Sequence, residues 1–318
     1  MSAPPPGGAP RRVILDCDPG IDDAFAIAFA CGYPGIELAG VTTVAGNVGL
    51  DRTTANALAV LEFLGHPEVA VAAGSPAPLL RPFSDAREVH GESGLGGARL
   101  PVARGRAAGE HAVDFLIGQI SAAPGTVTLV ATGPLTNIAL AVRRYPPLVR
   151  QVADFVIMGG SAGRGNTTPA AEFNVWADPE AAAIVFGAGW RVTMVGLDVT
   201  HQALTSAAVE DRMRGQGRLG GELLLPGLSG YRSAALAGQP VHDVCALALV
   251  AAPGLFGCEP ARVEVETAGR WTSGMTVTDF RASGADCNAQ VATSVDVAGF
   301  WDLVLGAYDL AAATMEAG

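Results

Sequence analysis

Four aspartates lie within eight residues near the start of the chain: Asp16, Asp18, Asp22 and Asp23. An apolar, β-branched run precedes them, a Pro-Gly pair separates the two acidic pairs, and an apolar segment follows at helical density. This pattern predicts a strand, a tight turn and a helix. The four carboxylates would then lie at the carboxyl end of a strand, where open α/β sheets bind their ligands. Because carboxylates this close repel one another, they need a cation, protons or hydrogen-bond donors to stay ionised.

Two other interpretations of this segment explain less of it. Aspartate at a helix start is favoured by the free N–H groups and by the helix dipole, which accounts for one or two of the four residues. A strand-end Asp-x-Asp pair also occurs in phosphatases that form an aspartyl phosphate, where a Gly-Thr type turn usually follows. Here Pro19, Gly20 and a second acidic pair follow instead. The segment therefore favours a site for a metal ion or a polyhydroxyl ligand.

Length and composition limit the classes of protein. The 318 residues are enough for one large α/β domain or two small ones, and 49% hydrophobic residues with 41 glycines suit a buried parallel sheet. A net charge of −11 argues against nucleic acid or an anionic membrane as a partner. The five cysteines lack metal spacing, which predicts mostly buried thiols in a reducing cytoplasm. No apolar run is long enough to cross a bilayer.

Strand-like and helix-like segments alternate along most of the chain, which predicts an α/β fold with a mainly parallel, doubly wound, Rossmann-like sheet flanked by helices. Residues 1–11, rich in proline and glycine, are predicted to form a disordered tail rather than a signal peptide, and residues 12–318 one domain. Short strands between residues 262 and 293 predict a mixed edge before a closing helix over 297–315. The active site is expected at the carboxyl ends of the strands.

Distinctive polar residues follow several of these predicted strands. Asn47, Thr132 and the run from 159 to 174 each come directly after one, so parallel strands would bring them to one edge. Taken singly, each has an ordinary explanation as a turn residue or a helix entry. Two further candidates are His90, in a long irregular loop over 81–106, and the pair His242-Asp243, which could also simply cap its helix.

The oxygen-rich set suits a hard divalent cation. Asp18, Asp23 and Asp243 could supply carboxylates, with waters and a backbone carbonyl completing the shell. Six or more oxygens would favour calcium, and a strict octahedron would favour magnesium. No histidine and cysteine cluster has zinc spacing.

Several segments together carry a resemblance to a known family. They are the acidic segment 16–24, Thr42-Thr43-Val44-Ala45-Gly46-Asn47, the run 131–139, Met158-Gly159-Gly160, Asn166, Ala171-Glu172-Phe173-Asn174 and Val241-His242-Asp243. In this order and over nearly the whole chain after residue 11, they resemble nucleoside hydrolases of the inosine–uridine-preferring family. The resemblance implies a single-domain enzyme that cleaves ribonucleosides to free base and ribose in nucleoside salvage or catabolism.

The resemblance also implies the roles of particular residues. Asp18, Asp23, the Thr132 carbonyl and Asp243 would hold Ca²⁺, whose bound water would be the nucleophile, and Asp18 would take the proton of that water. His242 is the family's candidate donor of a proton to the leaving base, a task suited to a histidine of ordinary pKa. Asp16 would support the ligands without binding the ion.

The sugar and base contacts follow from the same resemblance. The substrate-binding positions are Asp22, Asn47 and Asn174 for the ribose 2′- and 3′-hydroxyls, Asn166 and Glu172 for the 5′-hydroxyl, Met158 and Phe173 at the sugar, and His90 near the base. Positive charge that develops on the ribose ring would be stabilised by such a carboxylate-rich pocket. The family implies a homodimer or homotetramer and a small-molecule nucleoside partner.

Three points stay open on the sequence. The base preference is undecided, since Tyr231 and Gln239 could contact a base or simply pack on a helix surface. The same sugar site could act on a modified, nucleoside-like metabolite. A non-catalytic nucleoside or ribose binder would also keep this fold, although every candidate catalytic position is filled.

Overall fold

A nine-stranded sheet forms the centre of the molecule, as seen in a computed structural model that describes residues 9–231 and 238–317. The strand order is β3-β2-β1-β4-β5-β6-β9-β7-β8. The strands are β1 Arg11–Cys17, β2 Ile36–Thr43, β3 Val71–Ala73, β4 Val127–Ala131, β5 Asp154–Met158, β6 Val192–Val195, β7 Phe256–Val265, β8 Thr276–Asp279 and β9 Ala289–Val295. All pairs from β3 to β9 are parallel, and β7 and β8 add an antiparallel edge.

Helices cover both faces of the sheet. They are α1 Ile21–Gly32, α2 Leu50–Phe63, α3 Arg87–His90, α4 Ala112–Ala122, α5 Thr136–Arg144, α6 Phe173–Ala177, α7 Pro179–Phe186, α8 Leu197–Thr200, α9 Ala207–Arg214, α10 Leu225–Gly230, α11 His242–Ala251 and α12 Val297–Ala317. A π-helical turn at Leu219–Leu224 precedes α10. Two buried apolar clusters result, one on each face, as a doubly wound sheet requires.

Helix α1 carries two of the acidic residues and is buried along almost its whole length. It packs between α11 and α12. The contact with α12 is close at Gly32, where a Cβ atom would lie 2.1 Å from the carbonyl oxygen of Ala307. Tyr308 of α12, fully buried, donates its hydroxyl to the carbonyl of Phe25. These contacts pack the middle and the carboxyl end of α1 closely against α12.

The fold class predicted from the sequence is confirmed, including the mixed edge and the closing helix. Arg11 already pairs with Ile36 in the sheet, whereas residues 1–8 of the predicted tail lie outside the described residues. The region 205–236, expected as one or two helices, contains α9, the π-helical turn and α10, and its last five residues lie outside the described part. The short helices α6 and α8 were not predicted, because each has too few residues to show a period.

Two further expectations can be compared with the structure. None of the helices in the described ranges is long and apolar enough to cross a membrane. All five cysteines are free thiols. Cys17, Cys245 and Cys287 are buried, Cys31 is half-buried and Cys258 is exposed.

Candidate active site

The acidic segment forms the floor of a cavity at the carboxyl ends of the strands. Asp16 lies in β1, Asp18 follows that strand, and Asp22 and Asp23 lie in the first turn of α1. Asp243 joins them from the first turn of α11. All five are buried, the most exposed being Asp22 at 6%. Carboxylate oxygens of Asp22, Asp23 and Asp243 lie within 4.8 Å of one another.

Hydrogen bonds fix the orientation of the two central carboxylates. The backbone N–H of Asn47 donates to Asp18 Oδ2 at 2.7 Å, while Asp18 Oδ1 is buried and has no partner among the described residues. Asp23 accepts from Gly20 N–H at 2.9 Å, from Asn47 Nδ2 at 3.1 Å and from Thr132 Oγ1 at 2.9 Å. A buried acceptor without a donor is costly, so Asp18 Oδ1 is suited to a bound donor or cation.

Burial and mutual repulsion raise the pKa of these acids. Burial raises the pKa of Asp18 well above its usual range, and the charge of Asp23 adds to the shift. The same two causes raise the pKa of Asp22 to about 8. Burial and the neighbouring Asp22 raise the pKa of Asp243 well above its ordinary value. A cation bound among these carboxylates would reverse this effect and keep them ionised.

Asp16 stands slightly apart from the cluster. Its Oδ1 accepts from Thr42 Oγ1 at 2.5 Å and from Asn137 Nδ2 at 2.8 Å. These bonds lower its pKa, but burial outweighs them and raises the pKa to about 7. Asn137 also donates to the carbonyl of Thr43 at 3.0 Å. Asp16 therefore ties β1, β2 and α5 together beneath the cavity.

Two asparagines reach the cavity from different strands. Asn174, in α6, donates its amide N–H to the carbonyls of Thr132 at 2.8 Å and Met158 at 3.1 Å. Asn47 follows β2 and donates to the carbonyl of Asp18 at 3.2 Å. These bonds engage the amide N–H groups of both side chains. The amide oxygens, for which no hydrogen bond to a described residue is found, are left as acceptors for ligand hydroxyls.

Glu172 lines the cavity directly beside Asn174. It is 3% exposed, caps α6 and accepts from the N–H groups of Gly160, Asn174 and Val175. Burial raises its pKa to about 7 despite these three donors. Asn166 lies nearby at the surface, and its Oδ1 accepts from the N–H of Phe173 at 3.0 Å.

Two histidines face the cavity from different segments. His90, on α3 in the loop over 81–106, accepts at Nδ1 from the N–H of Ile21 at 3.2 Å, and burial lowers its pKa to about 4. His242 lies at the start of α11. Burial, then the charges of His201 and His90, lower its pKa to about 3. The expectation of an ordinary histidine pKa is wrong for His242, whose imidazole is neutral at pH 7.

The cavity has a volume of about 380 Å³, which suits a small polar ligand. Its lining includes every predicted site residue except Asp18 and Asp23, which lie in the floor beneath. The predicted residues in the lining are Asp22, Asn47, His90, Thr132, Met158, Asn166, Glu172, Phe173, Asn174, His242 and Asp243. Tyr231 also lines it, in edge-to-face contact with His90. Gln239 does not line it, and its backbone N–H bonds Thr205.

Other lining residues were not singled out in the sequence: Ser84, Asp85, Glu88, Thr167, Trp176, His201 and Pro240. Trp176 contacts Phe173 within α6, and the ring of His201 lies 5.6 Å from that of His242. The aromatic spacing in 173–176 could have indicated Trp176 as a second ring on the same side. His201 gave no such signal, because its helix α8 has only four residues.

The whole arrangement matches one protein family. The family model for the inosine-uridine preferring nucleoside hydrolase matches residues 13–302. The chain belongs to this family. It is 47% identical over 307 residues to the inosine-uridine preferring nucleoside hydrolase of Leishmania major, covering 94% of this chain and 98% of that protein. It is also 47% identical over 290 residues to the non-specific ribonucleoside hydrolase RihC of Klebsiella pneumoniae, covering 91% and 95% of the two chains.

Solved structures agree with the family assignment. The purine-preferring ribonucleoside hydrolase from Gardnerella vaginalis superposes with a TM-score of 0.89 at 34% identity, covering 95% of this chain and 99% of that one. A plant nucleoside hydrolase superposes with a TM-score of 0.86 at 32% identity, covering 94% and 99%. The chain is therefore an enzyme of the nucleoside hydrolase type with a mostly parallel α/β fold.

Proposed function

We propose that the chain hydrolyses the N-glycosidic bond of ribonucleosides, releasing free base and ribose, with water as the nucleophile and Ca²⁺ as the cation of the acidic floor. The observation that carries this proposal is Asp18 Oδ1, a buried carboxylate oxygen without a described partner beside three further buried aspartates. A cavity lined by acceptors for sugar hydroxyls lies directly above it.

The donor set fits calcium. Asp18, Asp23, Asp243 and the Thr132 carbonyl would hold the ion, all through oxygen, and calcium accepts such ligands in flexible geometry. The Thr132 carbonyl already accepts from Asn174 but keeps a second lone pair.

Two glycines make room for Asp18. A Cβ atom at Gly46 would lie 2.0 Å from Asp18 Oδ2, and one at Gly133 would lie 2.7 Å from Oδ1. Neither distance is compatible with a side chain at these positions. The backbone therefore approaches the carboxylate closely from two sides and holds it in place.

The bound cation would supply positive charge that lowers the pKa of a water molecule. Asp18 would accept a proton from the attacking water as the water oxygen bonds to C1′ of the ribose. The C1′–N bond breaks, its electron pair leaves with the base, and the ring gains positive charge. The surrounding carboxylates stabilise this charge electrostatically without having to reorganise. His242 donates an N–H hydrogen bond to the departing base, because its imidazole is neutral at pH 7.

Sugar recognition would use the remaining cavity residues. Asp22, Asn47 and Asn174 would bind the 2′- and 3′-hydroxyls, and Asn166 and Glu172 the 5′-hydroxyl. Met158 and Phe173 would pack against the ribose, and His90 would contact the base from its loop. This assignment is supported by the placement of all eight residues around one cavity.

We also propose a cytoplasmic homodimer or homotetramer. Five free cysteines suit a reducing compartment. An exposed apolar surface is available at the β8 edge, where Val277 and Phe280 are 47% and 41% exposed. Light scattering coupled to gel filtration tests the assembly, and a monomer at micromolar concentration would contradict it.

Ribose release tests the function. Inosine, adenosine, guanosine, uridine and cytidine are each incubated with the protein in calcium and in excess chelator. Calcium-dependent release from any of them supports the proposal, and the ranking gives the base preference. Calcium-dependent nucleoside binding without release would indicate a binder. Release from modified nucleosides alone would indicate a different natural substrate.

A further inference from the structure

The imidazole of His242 is held by one buried hydroxyl. Thr200 Oγ1, at the end of α8, lies 2.8 Å from Nδ1 of His242, and Thr200 is fully buried. The two residues are 42 positions apart, so the fold and not the local chain brings them together. Nε2 of His242 bonds no residue in the ranges 9–231 and 238–317, and the side chain lines the cavity.

The hydrogen bonds available to the Thr200 hydroxyl determine which nitrogen of His242 carries the proton. Its hydroxyl makes no second hydrogen bond within the described chain. If Nδ1–H donated to the hydroxyl, the hydroxyl hydrogen would be buried without an acceptor, which is costly. If the hydroxyl donates to Nδ1, both groups are satisfied and the proton of the imidazole lies on Nε2. The second arrangement leaves no unsatisfied group.

His90 provides an independent example of the same tautomer. Its Nδ1 receives the backbone N–H of Ile21, and a backbone N–H can only donate. Nδ1 of the neutral ring is therefore the acceptor, and Nε2 carries the proton. His90 and His242, two of the three histidines that line the cavity, thus have Nδ1 next to a donor from the protein.

We propose that Thr200 is a positioning residue that holds His242 in the Nε2–H tautomer, so that the imidazole presents an N–H donor to the leaving base. This inference rests on the proposed function, because the base is the ligand that the donor would meet. The N–H stabilises negative charge on the base nitrogen as the glycosidic bond breaks. The proton stays on Nε2, and the departing base anion takes its proton from solvent. Without the hydroxyl, Nδ1–H and Nε2–H forms would compete, and the Nδ1–H form turns a lone pair toward the base.

The tautomer is measured directly by ¹⁵N NMR of the histidine side chains in the full-length protein at neutral pH. A His242→Gln variant assigns the signal of His242, and His90 serves as an internal reference. In the wild type we expect Nδ1 to be unprotonated and Nε2 protonated. Thr200→Val, which keeps the side-chain shape, should shift His242 toward a mixture of tautomers, and Thr200→Ser should restore the wild-type spectrum. A wild-type His242 protonated at Nδ1 overturns the proposal.

Leaving-group dependence gives the functional readout. Thr200→Val should lower kcat for natural nucleosides by about tenfold or more, since donor catalysis is worth about 10²–10⁴-fold. Hydrolysis of p-nitrophenyl riboside, whose leaving group needs no donor, should change by less than about twofold. Thr53→Val is the matched control, because Thr53 is equally buried on a helix and bonds only its own helix among the described residues. Equal losses on both substrate types overturn the proposal.

The two readouts separate this inference from the proposed function. If the wild type released no base from any nucleoside, the proposed function would fail, while the tautomer measurement would still decide the role of Thr200. If Thr200→Val did not fold, the wild-type spectrum and the Thr200→Ser variant would still decide it. If the wild type released base normally while His242 carried its proton on Nδ1, the positioning role of Thr200 would be rejected and the proposed hydrolase function would stand.

Discussion

Replacement of Asp18 by asparagine separates cation binding from folding. Asparagine has nearly the same shape, so its amide oxygen can keep the 2.7 Å bond from the N–H of Asn47. Its amide nitrogen then takes the position of Oδ1, which is buried without a described partner, and can donate to the neighbouring carboxylates. The change removes one negative charge from a buried acidic cluster and supplies a donor where one is lacking.

The magnitude follows from these two effects. A buried, unsatisfied polar group costs about 1–3 kcal/mol, so in excess chelator we expect Asp18→Asn to unfold about 2–6 °C above the wild type. Calcium at 100 times its Kd stabilises the wild type by about 2.7 kcal/mol, or about 5 °C. Asp18→Asn has lost one carboxylate ligand of the cation, so calcium should stabilise this variant much less than the wild type. Loss of the general base should lower kcat by about 10²–10⁴.

Differential scanning calorimetry in chelator and across a calcium titration measures both effects, with ribose release as the activity assay. Asp178→Asn is the matched control. Asp178 is equally buried, but its carboxylate accepts from Leu79 N–H, Thr136 Oγ1 and Ala181 N–H. There, an amide group would leave donors unpaired, so stability should fall by about 1–3 kcal/mol while the calcium response stays. The reasoning is refuted if Asp18→Asn is less stable in chelator yet keeps the full calcium shift.

Three further predictions concern the same cavity. Gly46→Ala should abolish ribose release and calcium binding, because its Cβ would lie 2.0 Å from Asp18 Oδ2. Gly49→Ala is the control: a Cβ there would have nothing within 4 Å, so kcat and the calorimetric calcium shift should stay at their wild-type values. Because the pKa of Glu172 is raised to about 7, it should protonate below that pH, and KM for uridine should rise as pH falls. The rise should be smaller in Glu172→Gln, where Asp22, whose pKa is raised to about 8, still titrates. Nucleoside 5′-monophosphates should show kcat/KM values at least about 100-fold below those of their nucleosides. The described lining of the cavity contains acidic side chains and no arginine, so it should repel a phosphate group. Equal kcat/KM values would contradict this prediction.

The Glu172 pKa also carries a stability consequence. A folded pKa of about 7 lies above the ordinary value of 4.5, so folding favours the protonated carboxyl. The contribution of this group is therefore fully present below about pH 4.5 and is lost as pH rises through about 7. Without ligand, wild-type stability should fall more between pH 5 and 8 than that of Glu172→Gln, as chemical denaturation can measure.

Local sequence patterns are enough to predict the fold class and the residues of the acidic floor. The β-branched run, the Pro-Gly turn and the apolar segment around Asp16–Asp23 are local signals, and strand and helix periods are read within a few residues. Parallel strands then place their carboxyl ends at one edge, which is why the sequence alone groups Asn47, Thr132 and Asn174.

Which side chains meet, and which of them are ionised, depends on the packing of distant segments. Thr132 Oγ1 bonds Asp23 across 109 residues, and Thr200 meets His242 across 42. Strand order and helix packing set such contacts, and no period within a single segment encodes them. The pKa of His242 was likewise mispredicted, because burial is a property of the assembled cavity and not of the residue type. The sequence thus identifies the residues that carry the chemistry, whereas the fold sets their hydrogen-bond partners and their ionisation.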